Sequence, residues 1–223
     1  MLLEEVRRYR EQNAELIERY ETLIKQMENK NIDSFEALAE YDKAAAAALV
    51  KLAAKTKPFE LVGNNVGLFG ITSTGKSTML NKLIGSEVAA TGPGETTTEI
   101  TSYQGENVVL WDIPGRNDET TYLSMQYIAL WKGLTKRLIL ITTTIKENTN
   151  MMKLLDAIGL HYDIIVNKFD HIQEGERQKF CEDIRKEINY CGLKGVDHVF
   201  FVSGKHPNMF PDWNIMVDYL MNP

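Results

Sequence analysis

Gly70-Ile-Thr-Ser-Thr-Gly75-Lys76-Ser77 reads G-x-x-x-x-G-K-S, the spacing of a phosphate-binding loop. It follows an apolar run, Val66-Gly-Leu-Phe69, and opens a helical pattern, Thr78-Met-Leu-Asn-Lys-Leu-Ile84. Strand, loop and helix in that order are the context in which the motif has chemical meaning. Glycine lets the backbone curl so that its N–H groups point inward, and the helix adds the positive end of its dipole. Gly70, Ser73, Thr74, Gly75, Lys76, Ser77 and Thr78 are the candidate phosphate contacts. Lys76 is placed to reach the β- and γ-phosphates, where it would serve catalysis, and the Ser77 hydroxyl to ligate Mg²⁺. A glycine-rich loop that merely turns is the bland alternative, and the strand–helix context weighs against it.

Working outward, apolar strand candidates are 65–70, 99–104, 107–111, 137–142, 162–166 and 198–202, and helix candidates are 76–84, 120–131, 149–158, 174–190 and 212–221. From Val66 the order is β-α-β-β-α-β-α-β-α-β-α. That predicts an α/β three-layer sandwich around a mostly parallel six-stranded sheet with one antiparallel hairpin.

Residues 1 to about 55 differ, with no Pro or Gly and many Glu, Lys, Arg, Leu and Ala. Leu2, Val6, Tyr9, Asn13, Leu16, Tyr20, Leu23 and Met27 form a heptad seam, in which a buried Asn13 would fix register. Leu3, Ile17 and Ile24 widen the apolar face. Asp33 with Glu36 resembles a capping box for a second helix. That helix carries Phe35, Leu38, Tyr41, Ala45, Ala48, Leu49 and Leu52 on one side. Its alanine run, Ala44 to Ala48, would let another helix approach closely. An intramolecular helical hairpin and an intermolecular coiled coil both fit, and the short connection favours the hairpin. Pro58 ends this block, so the expected domains are 1–57, a helical region, and 58–223, the α/β domain.

The chain has 223 residues, 43% hydrophobic and 25% charged, enough for a core without staples. A net charge of −6 argues against nucleic acid and anionic membranes as general partners. No apolar run is long enough to span a bilayer. Cys181 and Cys191 would lie about 15 Å apart along a helix, too far for a disulfide. Reduced thiols and a cytoplasmic location are the simplest expectation.

Three further motifs fall at strand ends. Asp112-Ile-Pro-Gly115 is a D-x-x-G element. Its aspartate stands where a Mg²⁺-associated carboxylate belongs, and the Gly115 N–H where it would meet a γ-phosphate. Asn167-Lys168-Phe169-Asp170 is N-K-x-D. A carboxylate at Asp170 accepts two hydrogen bonds from guanine, a donor pair adenine lacks, and the Lys168 stem can lie along the base. Ser203-Gly204-Lys205 offers backbone N–H groups to the guanine carbonyl, though a plain turn fits nearly as well. Thr91-Gly-Pro-Gly-Glu-Thr96-Thr97-Thr98 supplies threonines for Mg²⁺ in a loop that γ-phosphate can order; a Thr-rich strand entry is the alternative. His161, His171, His198 and His206 have no metal-ligand spacing.

Together these elements resemble the Ras-like, translation-factor-related class of P-loop GTPase domains over about residues 60 to 221. In wording they are most similar to the interferon-inducible, immunity-related GTPases, through Gly75-Lys-Ser-Thr-Met-Leu-Asn81, Thr91-Gly-Pro-Gly-Glu-Thr-Thr97 and Trp111-Asp-Ile-Pro-Gly115. Bacterial Era-like GTPases share the Pro-Gly-x-Thr-Thr pattern. The resemblance implies GTP/GDP and Mg²⁺ as ligands and a nucleotide-dependent switch. It makes Thr97, with Thr96 or Thr98 as alternatives, the catalytic and metal-binding switch threonine. That immunity-related family also carries helices before its G domain and a further helical region after it. Where Ras-like proteins carry Gln after D-x-x-G, this chain has Arg116, then Asn117 and Asp118. A guanidinium cannot act as a base, so Arg116 is either a phosphate-charge stabiliser, in its own site or a neighbour's, or a solvated loop residue. Slow hydrolysis hastened when two G domains meet is one expectation, with a homodimer forming through the G domain or the N-terminal helices. A nucleotide-binding scaffold with little hydrolysis is the other, and an ATP-using enzyme is disfavoured by Asp170.

Overall fold

The computed structural model describes residues 11–89, 100–114 and 123–222. Leu2, Leu3, Val6 and Tyr9, the loop from Thr91 to Thr98, and Gly115, Arg116, Asn117 and Asp118 lie outside them. The chain divides into two compact units. One takes the described parts of residues 1–61, 117–133 and 150–160; the other takes those of 62–116, 134–149 and 161–223.

The first unit is helical. Helix α1 (Ala14–Asn29) buries Tyr20 and Met27 and half-buries Leu16, Ile17, Leu23 and Ile24, the widened apolar face. Asn13 stands at the helix entry, half-buried. The expected second helix is two helices, α2 (Phe35–Tyr41) and α3 (Lys43–Lys55). The break is at Asp42, whose extended backbone and Oδ1, accepting from the Ala44 and Ala45 N–H groups at 3.0 Å, start a new helix. Asp is a strong N-cap and offers the backbone an alternative to continued helix. The first cap is also one residue later than Asp33: Ser34 Oγ accepts from Ala37 N at 3.1 Å. Tyr20 and Thr56 share a buried hydroxyl hydrogen bond at 3.0 Å. Helix α5 (Met125–Gly133) is mostly apolar, with Tyr127 through Trp131 buried, and its Lys132 Nζ donates to the Ala53 and Thr56 carbonyls at the end of α3. A cation there satisfies orphan carbonyls and complements the helix dipole. Helix α6 (Thr149–Ala157) contributes buried Met151, Met152, Leu154 and Leu155.

The second unit holds a six-stranded sheet. The strands are β1 (Asn65–Phe69), β2 (Thr101–Gln104), β3 (Val109–Asp112), β4 (Lys136–Ile141), β5 (Tyr162–Val166) and β6 (Val196–Phe201), in spatial order 2-3-1-4-5-6. Only β2 and β3 pair antiparallel; Leu68 of β1 sits between Asp112 of β3 and Leu138 of β4. The chain is α/β with a mostly parallel sheet, as the strand order implies. Helices α4 (Lys76–Ile84) and α8 (Asp212–Met221) cover one face: Met79, Leu80, Trp213, Met216 and Leu220 meet Val66, Leu68, Leu138, Leu140 and Ile165 in one core. Full burial of each such side chain contributes about 1.5–3 kcal/mol. Helix α7 (Arg177–Tyr190) follows a short 3₁₀ turn at Glu174–Glu176, and its Glu187 accepts from Thr144 Oγ1 at 2.9 Å and Ile145 N at 3.2 Å. Cys181 on α7 and Cys191 at its end are free thiols. Among the described residues no helix is long and apolar enough to cross a membrane.

Candidate functional site

The parallel strands β1, β3, β4, β5 and β6 bring their carboxyl ends to one rim, where ligands bind in open α/β sheets. Directly after β1 the chain makes the tight turn read from sequence. Gly70 has φ +137°, and a Cβ there would lie 2.4 Å from the Leu140 carbonyl oxygen. Gly75 has φ +91° and caps α4, and a Cβ on it would lie 2.5 Å from Asn167 Nδ2. Only glycine meets both conditions. Ser73 between them is left-handed too, at φ +68°. Thr74 is buried, with Oγ1 donating to Ile71 O at 3.0 Å.

Lys76 is 7% exposed and its Nζ donates to Gly70 O at 2.9 Å and Ile71 O at 3.1 Å, inside its own loop. Burial pushes its ammonium below the ordinary lysine range, while the Asp112 carboxylate pulls the other way. Ser77, the next residue, donates its hydroxyl to Asp112 Oδ2 at 3.4 Å. Asp112 is the last residue of β3 and 1% exposed. A hydroxyl and a carboxylate at the head of a helix are hard oxygen donors, the type Mg²⁺ prefers, so these residues fit that ion. Among the described residues there is no group of three or more His, Cys, Asp or Glu able to hold a metal alone. Thr78 lies half-buried in the first turn of α4.

Asn167 is 2% exposed. Its Nδ2 donates to Thr74 O at 2.8 Å and its Oδ1 accepts from Gly204 N at 2.8 Å. The amide therefore ties the phosphate loop to the loop after β6. Lys168 is left-handed, at φ +58°, and its Nζ donates to Ser73 O at 2.8 Å, so its stem runs across the phosphate loop. Asp170 follows on a 3₁₀ turn, Phe169–His171. Partial burial works to raise its carboxyl, but a hydrogen bond from Ser203, one from its own backbone, and the nearby His171 and His206 bring it below the usual carboxylate range. Ser203 is fully buried and its Oγ accepts from His206 N at 3.0 Å, while Lys205 is exposed.

The structure thus gathers Gly70 through Thr78, Asp112, Asn167, Lys168, Asp170, Ser203 and Gly204 at one rim. Thr97, Gly115 and Arg116 lie outside the described residues. Sequence reading missed two roles. Phe169 anchors the turn below Asp170: its ring packs on Phe210 at 4.9 Å and Phe201 at 5.3 Å, and its N–H donates to Val202 O. An aromatic between Lys168 and Asp170 was the available signal. Asn81 holds the chain after α4, accepting from Val88 and Ala89 N–H and donating to Ala89 O and Glu87. A buried Asn on a helix's apolar face was its signal.

A GTP-binding protein EngB described as probable, from Ruegeria sp. (strain TM1040), is 26% identical over 159 residues, which are 64% of this chain and 66% of that protein. An immunity-related GTPase family M protein from Rattus norvegicus is 29% identical over 163 residues, 64% of this chain and 39% of the relative. The chain thus spans slightly under two thirds of the first of these curated relatives and well under half of the second. Among solved structures, an Era variant from Aquifex aeolicus bound to GDP and AlF4⁻ superposes with a TM-score of 0.50 at 19% identity, covering 70% of this chain and 55% of that one. That likeness is one of fold. A family model described as 50S ribosome-binding GTPase matches residues 65–203. The match runs from the first residue of β1 to the buried serine beside Asp170, so the motifs that converge on the phosphate loop fall almost wholly within it, and the chain belongs to this family of P-loop GTPases.

Proposed function

We propose that the chain is a Mg²⁺-dependent GTPase that cleaves GTP to GDP and phosphate and acts as a nucleotide-dependent switch, with residues 58–223 as its G domain and 1–57 as a helical appendage. The observation that carries this reading is the Asn167 amide, bonded at 2.8 Å to both Thr74 O and Gly204 N. It makes the phosphate loop and the Asp170 turn parts of one site, which is what recognition of a nucleoside polyphosphate needs. In this reading the backbone of Gly70 to Thr78 and the Lys76 ammonium hold the phosphates. Asp170 and Lys168 select guanine, with Ser203 to Lys205 beside the base. Ser77, Asp112 and Thr97 are the protein's Mg²⁺ ligands, shared with phosphate oxygens; the ion when bound neutralises charge on the transferred phosphoryl group. Gly115 meets the γ-phosphate, and Arg116 offsets charge in its own site or a neighbour's.

Arg116 stands where Ras-like enzymes carry a water-orienting Gln. That supports slow turnover raised by homodimerisation, and keeps a second reading open: a GTP/GDP-binding scaffold that assembles with little hydrolysis. The 29% identity to the rat immunity-related protein supports that subfamily no more strongly than the bacterial relatives support theirs. We propose a cytoplasmic location, in keeping with two free thiols. We propose no nucleic acid as a general partner, since a net charge of −6 gives no overall electrostatic drive toward it.

Phosphate release from GTP with Mg²⁺ by wild type and Lys76→Ala tests this. Release by wild type, lowered at least about 100-fold in the variant, is expected. Tight GTP binding with equal, negligible release from both would leave the scaffold as the function.

A further inference from the structure

Helices α1 and α3 pack side by side in the first unit, and an open groove of about 380 Å³ runs between them. Its floor is apolar, made by Leu23, Ala48 and Leu52. Its rim carries Arg19, Lys51 and Lys55, its remaining lining residues are neutral, and none is acidic. The α1 wall takes positions 19, 22, 23 and 26 and the α3 wall positions 48, 51, 52 and 55. Both are i, i+3, i+4, i+7 stripes, so the groove follows two helix axes and matches a helix-shaped guest.

Two features single this surface out. The chain is acidic overall, at −6, yet α3 holds three lysines and no acid. Arg19 is engaged by Glu15 at 2.7 Å, but among the described residues neither Lys51 nor Lys55 has an ion-pair partner. The outer face of α3 also exposes Ala44, Ala47, Ala48 and Ala54. Ala46 is buried inside the unit, but these four alanines are not spent on packing there. They leave a smooth strip beside the groove where a neighbouring backbone can come close.

We infer that this groove is a docking site for an amphipathic helix of a partner protein, with leucine-sized side chains on one face and Glu or Asp flanking them. The apolar face covers Leu23 and Leu52, and the flanking carboxylates meet Lys51 and Lys55, as flanking charges select partners in paired helices. A partner held by so small a groove makes a transient contact.

The test uses the full chain and a fluorescein-labelled helical peptide of about 18 residues, with Leu at both core heptad positions and Glu at the flanking ones. A second peptide has Lys in place of every Glu. Anisotropy is read for wild type, for Lys51→Glu/Lys55→Glu and for Ala48→Trp, with circular dichroism to establish folding. The Glu peptide should bind wild type at least about tenfold more tightly than the Lys peptide. The lysine reversal should invert that preference, and Ala48→Trp, which fills the floor without changing charge, should weaken the Glu peptide. Equal binding of both peptides to wild type, or Glu-peptide binding unchanged in both variants, overturns the inference. So does lysine-dependent co-sedimentation with phosphatidylserine vesicles without peptide binding, which makes the groove a lipid site. Concentration-dependent self-association lost in the same variants, without peptide binding, makes the occupant a second copy and likewise overturns it.

Discussion

Asn167 and Gly75 should be energetically coupled, because one atom pair forbids what the other needs. Asn167→Ala removes two buried hydrogen bonds and leaves the Thr74 carbonyl and the Gly204 N–H unmet. At about 1–3 kcal/mol for each orphaned group, tempered by water entering the space left, the cost is about 2–4 kcal/mol. For a chain of this size that is a fall in Tm of about 4–16 °C. Gly75→Ala places its Cβ 2.5 Å from Asn167 Nδ2 at a backbone φ of +91°. It therefore costs about 1–2 kcal/mol for the left-handed residue and also displaces the amide, losing the same hydrogen bonds. In the double variant the amide is already gone, and Gly75→Ala should add only the backbone part. The two effects should fall short of additivity by about 2–4 kcal/mol. Urea and thermal melts of the nucleotide-free wild type, both single variants and the double variant measure this directly. Additivity within about 0.5 kcal/mol, or an Asn167→Ala melt indistinguishable from wild type, would refute the brace and return Asn167 to a residue that acts only when nucleotide is bound.

Asp170→Asn should lower the preference for GTP over ATP by about 100-fold in competition binding, whereas Asn167→Ala should weaken both nucleotides alike. The same variant reports on pH. Asp170 is held below its unfolded value of 3.8, so its ionised form contributes stability that is present above that value and lost as pH falls through the folded one. The stability difference between wild type and Asp170→Asn should be flat above about pH 5 and shrink below about pH 4; a difference that vanishes near neutrality would contradict it. Asp42→Ala deletes the cap on α3 and should cost about 1 kcal/mol, read in a urea melt. A gain in stability would mean that α2 and α3 prefer to run on as one helix.

Most of the sheet was legible because its strands are apolar runs ending in chemically distinctive residues. Asp112 and Asn167 each follow such a run, and a parallel sheet sends all those ends to one rim. Strand bounds moved by one to two residues in both directions: the ladder of β6 extends back past the apolar stretch to Val196 and Asp197, while β3 begins only at Val109. The N-terminal helices were less legible. Asp33 and Ser34 are both good caps, and which one accepts the N–H depends on where Phe35 and Leu38 find cover. Asp42 breaks the second helix because its carboxylate bonds two N–H groups ahead, a competition that helical periodicity does not register.

Residue identity alone determined the phosphate loop, the acid at 112, the carboxylate at 170 and the departure at 116, because each is a chemical group at a fixed spacing from a strand or helix. Only the tertiary structure decided that Asn167 spends both ends of its amide on two backbones, that Phe169 packing holds the turn at Asp170, and that Ala44, Ala47 and Ala48 of the alanine run face outward at a basic groove while Ala46 is buried. Those facts depend on which segments distant in the chain pack together, and a local pattern carries no record of its long-range neighbours.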